Sequence, residues 1–235
     1  MSEYLLLRLD APLMSFGGVA VDNRGVEMPL PAASMMTGLL GNALGLRRQD
    51  FAELNALQSR LRFVVRMDRD GFSLTDFQTA ELNKSDQGWT TRGEVESRDG
   101  GAGTYAGKHI RYRDFHADRS VLIALWLEPA EQEPTLSQLQ AALQHPRRPL
   151  FIGRKPCLPS TYIDAGLVEA ASPLDALATQ PVDSSEPATV FEQLPAAASP
   201  ELGDLRVSGI RIWENQVHGG EQRWRASSLV PKDES

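Results

Sequence analysis

Three observations predict an α+β fold for this chain. Apolar runs of strand length alternate with stretches of helical period, so the first 155 residues read β, α, β, β, arm, β, α, β. Residues 78–107 follow neither period and carry Gly88, Gly93, Gly100, Gly101, Gly103 and Gly107, the pattern of a long loop or protruding arm. Residues 164–205 are rich in Ala, Pro, Ser and Asp, and a terminal hairpin follows. This order fits a ferredoxin-like or RRM-like body over residues 1–160, an inserted thumb arm at about 78–117, and a smaller β-rich C-terminal region at 161–235.

Each element has a local reason. Tyr4-Leu5-Leu6-Leu7-Arg8-Leu9 is an almost unbroken apolar run, as in a buried strand, and Ala11-Pro12 marks its first turn. Met14-Ser15-Phe16-Gly17-Gly18 is a glycine turn, and Pro29 and Pro31 keep residues 19–33 irregular. Ser34 is placed to cap a helix reaching Leu46, with Met36, Leu39, Leu40, Ala43 and Leu44 as its apolar stripe. Gly38 and Gly41 inside that helix suit close packing or close approach of a ligand. Asp50 opens a second helical stretch. Residues 61–67 and 72–77 read as strands joined by a hairpin turn at Asp68 to Gly71. Residues 120–127 form the strongest strand pattern, 136–143 a helix capped by Thr135, and 149–152 a short strand. Residues 164–205 are expected to be loosely structured. The final hairpin would pair 207–213 with 223–229 around His218-Gly219-Gly220.

Composition excludes several classes. The chain has 235 residues, 41% hydrophobic and 23% charged, enough for one sizeable core. Its first residues, Met-Ser-Glu-Tyr, lack the basic start of a secretory signal, and no apolar run reaches spanning length, so a cytoplasmic location without membrane contact is expected. Cys157 is the single cysteine, which excludes an intrachain disulfide and a cysteine-based zinc site. Without a Walker-type phosphate loop, zinc-ligand spacing or acidic metal cluster, no cofactor or metal is expected. The net charge of −7 argues against a nucleic-acid partner only until the chain is divided. Residues 1–163 hold 19 Lys+Arg and 19 Asp+Glu, whereas 164–235 hold 5 and 12. Local charge governs backbone binding. The longest acid-free stretch, 134–163, contains Arg147, Arg148, Arg154 and Lys155.

The segment Gly107-Lys108-His109-Ile110-Arg111-Tyr112-Arg113-Asp114-Phe115 carries the strongest chemical signal. As a strand it puts His109, Arg111, Arg113 and Phe115 on one face, and Lys108, Ile110, Tyr112 and Asp114 on the other. Guanidinium groups meet phosphates and stack on bases, and rings stack too, so this mixture suits RNA. It equally suits a solvated edge strand whose charges deter aggregation. Arg154 and Lys155 follow Gly153, where backbone and guanidinium can approach a phosphate together; the other reading is an exposed turn. Ser34 at a helix N-terminus offers backbone N–H groups to a phosphate. Arg24 is a further phosphate candidate. Phe16 beside Gly17 is placed to stack a base or to sit in the core. Arg60, Arg62, Arg66 and Arg69 read as a solvated face, Trp126 as core, and Met35 and Met36 as core or subunit interface.

In combination these segments resemble the CasD ("Cas five") family of type I-E CRISPR Cascade subunits. The resemblance spans roughly residues 4–160. It rests on Leu5-Leu6-Leu7-Arg8-Leu9 with Ala11-Pro12 and Phe16-Gly17, and on the Pro-rich entry from Pro31 into the helix bearing Thr37-Gly38-Leu39-Leu40-Gly41. It extends to Asp76-Phe77-Gln78-Thr79 at the arm base, the return strand at 108–118, and Leu150-Phe151-Ile152-Gly153-Arg154-Lys155. The resemblance implies a non-enzymatic, RNA-binding subunit with an RRM-like body and a thumb. Such a subunit holds the 5′ handle of the CRISPR RNA, caps the complex beside CasC and CasA, and meets target DNA through the base pairing of the guide. Lys108, His109, Arg111 and Arg113 would line the thumb against the handle. Cutting of the precursor RNA would fall to another subunit, CasE.

Two departures stand out. Some relatives carry a basic residue where this chain has Pro31-Ala32-Ala33-Ser34, and relatives often have two aromatics where it has Asp114-Phe115-His116. The alternative is a metal-independent endoribonuclease, the activity of type I-C relatives. Lys108-His109 with Tyr112 or His116 offers the general acid, base and cation that cleavage requires. Cutting relatives add a tyrosine from the early helix region, and this chain has none between Tyr4 and Tyr105. Adjacent strand residues also point to opposite faces unless a bulge intervenes. A third reading, an interaction protein using the acidic last third, predicts no dependence on RNA.

Overall fold

A computed structural model describes residues 1–18, 23–81, 88–89, 94–96, 109–182, 188–195 and 197–229. The chain starts with β1 (Ser2–Met14), the two-residue β2 (Arg24–Gly25), α1 (Ala33–Leu44) and α2 (Phe51–Arg60). Then come β3 (Leu61–Arg69), β4 (Phe72–Ala80), and a separate short ladder of β5 (Gly88–Trp89) and β6 (Val95–Glu96). The 19-residue β7 (His109–Leu127) returns, followed by α3 (Leu136–Gln144), β8 (Asp164–Ala170), α4 (Pro173–Ala178), β9 (Ala188–Gln193), β10 (Leu205–Ile212) and β11 (Val217–Leu229).

One mixed α/β layer system results. The main sheet has the order β10-β11-β9-β3-β7-β1-β8, antiparallel along that whole path. Both faces are covered. Leu5, Leu7 and Leu9 of β1 pack with Met36, Leu39 and Leu40 of α1 and Leu136, Leu139 and Leu143 of α3. Tyr4 and Leu6 point the other way, onto Ala176 and Leu177 of α4. A strand buried on both faces has no solvent-facing position, hence the unbroken apolar run at its start. The strand order β3-β7-β1-β8 has α1 and α2 between β1 and β3, and α3 between β7 and β8.

Several local expectations are corrected by the pairing. The hairpin across Asp68 to Gly71 does not form, because β3 and β4 do not pair with each other. Both pair with β7: β3 with its second half, from Leu61 opposite Leu127 to Arg69 opposite Ser120, and β4 with its first, from Phe72 opposite Ala117 to Ala80 opposite His109. Asp70-Gly71 is therefore a kink inside one long ribbon. Gly71 has φ +66°, and a Cβ there would lie 2.1 Å from the Ala117 carbonyl oxygen, so this crossing needs glycine. The turn pattern at Asp68 to Gly71 marked a break in the strand but said nothing of the strand's partner.

The described residues between 164 and 205 are not loose. β8 adds to the β1 edge, α4 covers a face, and β9 pairs with β3. The strand that completes the body is β8, while residues 149–152 form a loop. The terminal hairpin is present, but its turn is at residues 213–216, and Gly219 and Gly220 lie within β11. Val207 and Trp224 from this hairpin are fully buried in the main core, so β8 to β11 share sheet or core with the strands before them.

Ser34 is not the cap of α1. The helix begins at Ala33 with Ala32 as N-cap, and Gln222 of β11 accepts the Ala33 N–H at 3.2 Å through its Oε1. A distant side chain thus does the work that a local hydroxyl usually does. On α3, Thr135 and Gln138 form a capping box as the local pattern requires. Arg60 and Arg66 are 3% and 0% exposed, not a solvated face. Their guanidiniums point inward because carbonyls and Asp68 wait there as acceptors.

Candidate nucleic-acid interface

Where β1 ends, the chain builds the rim of a groove. Ser15 N–H donates to the Ile152 carbonyl at 3.1 Å, which ties the loop after α3 to the end of β1. That loop crosses so closely that a Cβ on Gly153, at φ +86°, would lie 1.7 Å from the Ser15 carbonyl oxygen. Its next residue, Arg154, is thereby aimed across β7. β2 runs parallel to β7, with Arg24 opposite Tyr112 and Gly25 opposite Arg113. A Cβ on Gly25 would lie 2.9 Å from Arg113 Nη1 and 3.2 Å from Arg154 Nη2, so the two guanidiniums pass over bare backbone.

The groove of about 620 Å³ is walled by these segments, by α1 with the loop after it, and by the end of β10. Six arginines line it: Arg47, Arg48, Arg113, Arg148, Arg154 and Arg211. No carboxylate is among the described lining residues. The cations differ in their commitments. Arg154 bridges Glu27 at 2.9 Å, donates to the Asp114 carbonyl at 2.8 Å, and lies 4.6 Å from the Phe115 ring centroid. Arg148 donates to the Gly45 and Leu46 carbonyls, closing the C-terminus of α1. The guanidiniums of Arg47, Arg48 and Arg113 make no hydrogen bond or ion pair with a described residue.

Glu27 sits just behind the rim. Its carboxylate accepts from Ser15 Oγ at 2.7 Å and from the Phe16 and Gly17 N–H groups at 2.5 and 3.0 Å. Burial raises its pKa above the ordinary 4.5, against the pull of those donors and of Arg154.

The expected site residues are therefore only partly gathered. Arg113, Arg154 and Ser34 line the groove. Phe16 also lines it, but the residue is 3% exposed with its ring 4.9 Å from His116, so it has no open face for a base. Arg111 is exposed, opposite Gln78 on β4, and among the described residues its guanidinium donates to its own strand, at the Ile110 carbonyl. Arg24 is exposed and 3.7 Å from Asp114. Lys155 is exposed on the turn beyond the groove. His109 opens β7 opposite Ala80; its side chain and all of Lys108 lie outside the described residues. Arg47, Arg48, Arg148, Arg211 and Trp213 were missed. The acid-free stretch pointed toward Arg148, whereas nothing local marks Arg211 or Trp213.

His116, a candidate acid or base of the nuclease alternative, faces away from the arm's cations. It is 8% exposed, its Nε2 is 2.8 Å from the Met28 carbonyl oxygen, and burial lowers its pKa below the ordinary 6.5. Tyr112 pairs its ring with Phe77 at 5.5 Å, on the strand face opposite Arg111 and Arg113. Among the described residues no cluster suited to a metal ion occurs, and no helix is long and apolar enough to cross a membrane.

Residues 4–225 match the family described as CRISPR-associated protein (Cas_Cas5). The chain belongs to this family. The CRISPR system Cascade subunit CasD of Escherichia coli (strain K12) is 30% identical over 178 residues, which is 75% of this chain and 76% of that protein. Among solved structures, a chain of a CRISPR RNA-guided surveillance complex is similar in fold with a TM-score of 0.67 and 21% identity, covering 96% of this chain and 90% of that one. A structure titled as the crystal structure of a Cas protein gives a TM-score of 0.63 and 26% identity, with 97% and 95% covered. The family match of this Cas5-family chain runs through β8 to β11, so Arg211 and Trp213 fall inside it.

Proposed function

We propose that this Cas5-family chain is a non-catalytic subunit of a Cascade-type CRISPR ribonucleoprotein, and that its arginine groove seats the single-stranded 5′ handle of the CRISPR RNA. The observation that carries this reading is the six-arginine groove without a described lining carboxylate, in a chain of net charge −7. A concentrated cationic groove follows a phosphate backbone, while the remaining surface can stay acidic. On this reading β3-β7-β1-β8 with α1 and α3 is the RRM-like body. The β4–β7 ribbon is the thumb, which brings Arg111 and Arg113 to the handle, with Lys108 and His109 continuing the line. CasC and CasA are the neighbouring subunits, target DNA is met through the guide, and the complex works in the cytoplasm. Holding is favoured over cutting because His116 is buried against a backbone carbonyl and Tyr112 lies on the other strand face.

The test mixes the purified chain with labelled CRISPR repeat RNA in EDTA and follows gel shift and strand cleavage together. A salt-sensitive shift without cutting, abolished in Arg111→Ala/Arg113→Ala, is the expected result. Cutting that disappears in His109→Ala would replace this reading with the endoribonuclease. Absence of any shift, even after co-expression with CasC, would remove it.

A further inference from the structure

The far end of the groove holds polar atoms that the protein leaves unused. Arg211, on β10, is clamped by α2: Gln58 accepts its backbone N–H at 3.2 Å and donates to its carbonyl at 2.8 Å. Its guanidinium carbon lies 5.2 Å from the Trp213 ring centroid, and Gln216 Oε1 accepts from Nη2 at 2.8 Å. The Arg211 Nε, although buried, has no hydrogen-bond partner. Trp213 is 6% exposed and lines the groove, yet its indole N–H is also unpaired. Trp224 has an unpaired indole N–H as well, but it is enclosed in the main core rather than in the groove wall.

Charge at this end is unbalanced too. Arg48 lines the same groove, and its cation, after burial, disfavours the charged form of Arg211. His218 is likewise held below its ordinary value, by burial first and then by Arg211. Glu214, three residues beyond Arg211, accepts from Asn55 at 2.8 Å. A half-buried cation beside a second cation, with buried unpaired N–H groups and no carboxylate among the described lining residues, is costly for the free protein. An anion with several acceptor oxygens resolves all of these costs at once.

We infer that Arg48, Arg211 and the Trp213 indole N–H form a phosphate subsite that takes one backbone phosphodiester of the bound RNA. Guanidinium and indole donors suit the several oxygens of one phosphate, and Gln58 and Gln216 hold the arginine in place before the RNA arrives. The inference deepens the handle-binding reading and rests on it: it places a second anchor on the C-terminal hairpin, far along the chain from Arg111 and Arg113.

The test uses the full chain labelled with ¹⁵N. Its four tryptophans give four indole signals, and that of Trp213 is assigned by its loss in Trp213→Phe. Repeat RNA and inorganic phosphate are titrated separately. With RNA, the Trp213 signal is expected to shift downfield as its N–H gains an acceptor. Arg48→Gln/Arg211→Gln is expected to bind RNA about tenfold or more weakly, and its salt slope should fall by about 0.7 for the lost phosphate contact. Unchanged positions of the other indole signals in that variant report that it is folded. RNA binding that depends on Arg111 and Arg113 but leaves the Trp213 signal and the double variant's affinity unaltered overturns the subsite and spares the handle-binding reading. A Trp213 shift with inorganic phosphate but not with RNA overturns the RNA assignment. No RNA binding by the wild type, alone or with CasC, overturns both.

Discussion

Arg66 and Arg113 come from neighbouring strands of one sheet, and their surroundings are opposite. Arg66 on β3 is fully buried, with bonds to both carboxylate oxygens of Asp68 and to the Leu177, Gln180 and Pro181 carbonyls. All five guanidinium donors are thereby satisfied inside the protein. Arg113 on β7 is half-buried in the groove wall and makes no hydrogen bond or ion pair with a described residue. The difference teaches that donor satisfaction, rather than exposure or local charge, separates a structural arginine from one available to a ligand. Arg154 is intermediate, since it lines the groove while bridging Glu27 and Asp114.

The largest test of this contrast is Arg66→Met. It leaves Asp68 buried with Arg8 as its remaining charged partner, 3.0 Å away. We expect a loss of about 3–5 kcal/mol in urea unfolding, with RNA affinity per folded molecule unchanged. An unaltered unfolding midpoint would break the comparison. Arg113→Gln should do the reverse, changing stability by less than about 0.5 kcal/mol while weakening repeat-RNA binding several-fold in filter binding. If it destabilises as Arg66→Met does, Arg113 belongs with the structural group.

The smallest effect concerns His116, where the β4–β7 ribbon leaves the body. Burial depresses its pKa below 6.5, with Arg119 adding to this while the Met28 carbonyl and Asp70 oppose it. A base depressed on folding contributes stability above pH 6.5, and that contribution is lost as pH falls through the folded value. The urea midpoint of the wild type should therefore drop on acidification below pH 6.5, and drop less in His116→Gln. Parallel curves would mean that His116 titrates as freely in the folded chain as in the unfolded one.

Much of this architecture was legible locally. The run at residues 4–9, the helical stripe of Met36, Leu39, Leu40 and Ala43, the Thr135 cap and the basic alternation at Arg111 and Arg113 are short-range patterns, and short-range patterns report a residue's face. Gly71 shows the limit: the pattern at Asp68 to Gly71 announces a turn, but which strand lies beside it is a long-range matter. Arg66 looked solvated because three of its five acceptors come from residues 177–181, beyond any local window. Arg211 and Trp213 carried no signal, since the groove exists only when β10 packs beside α1 and α2.

By itself, then, the sequence determined the type of most elements, the buried first strand, the cationic alternation of the return strand and the family. Only the tertiary structure decided the partner of β4, the place of β8 to β11 in the common sheet, and which arginines keep free donors. The physical reason is that periodicity follows from the backbone's own repeat, whereas satisfying a buried polar group depends on every segment that packs around it.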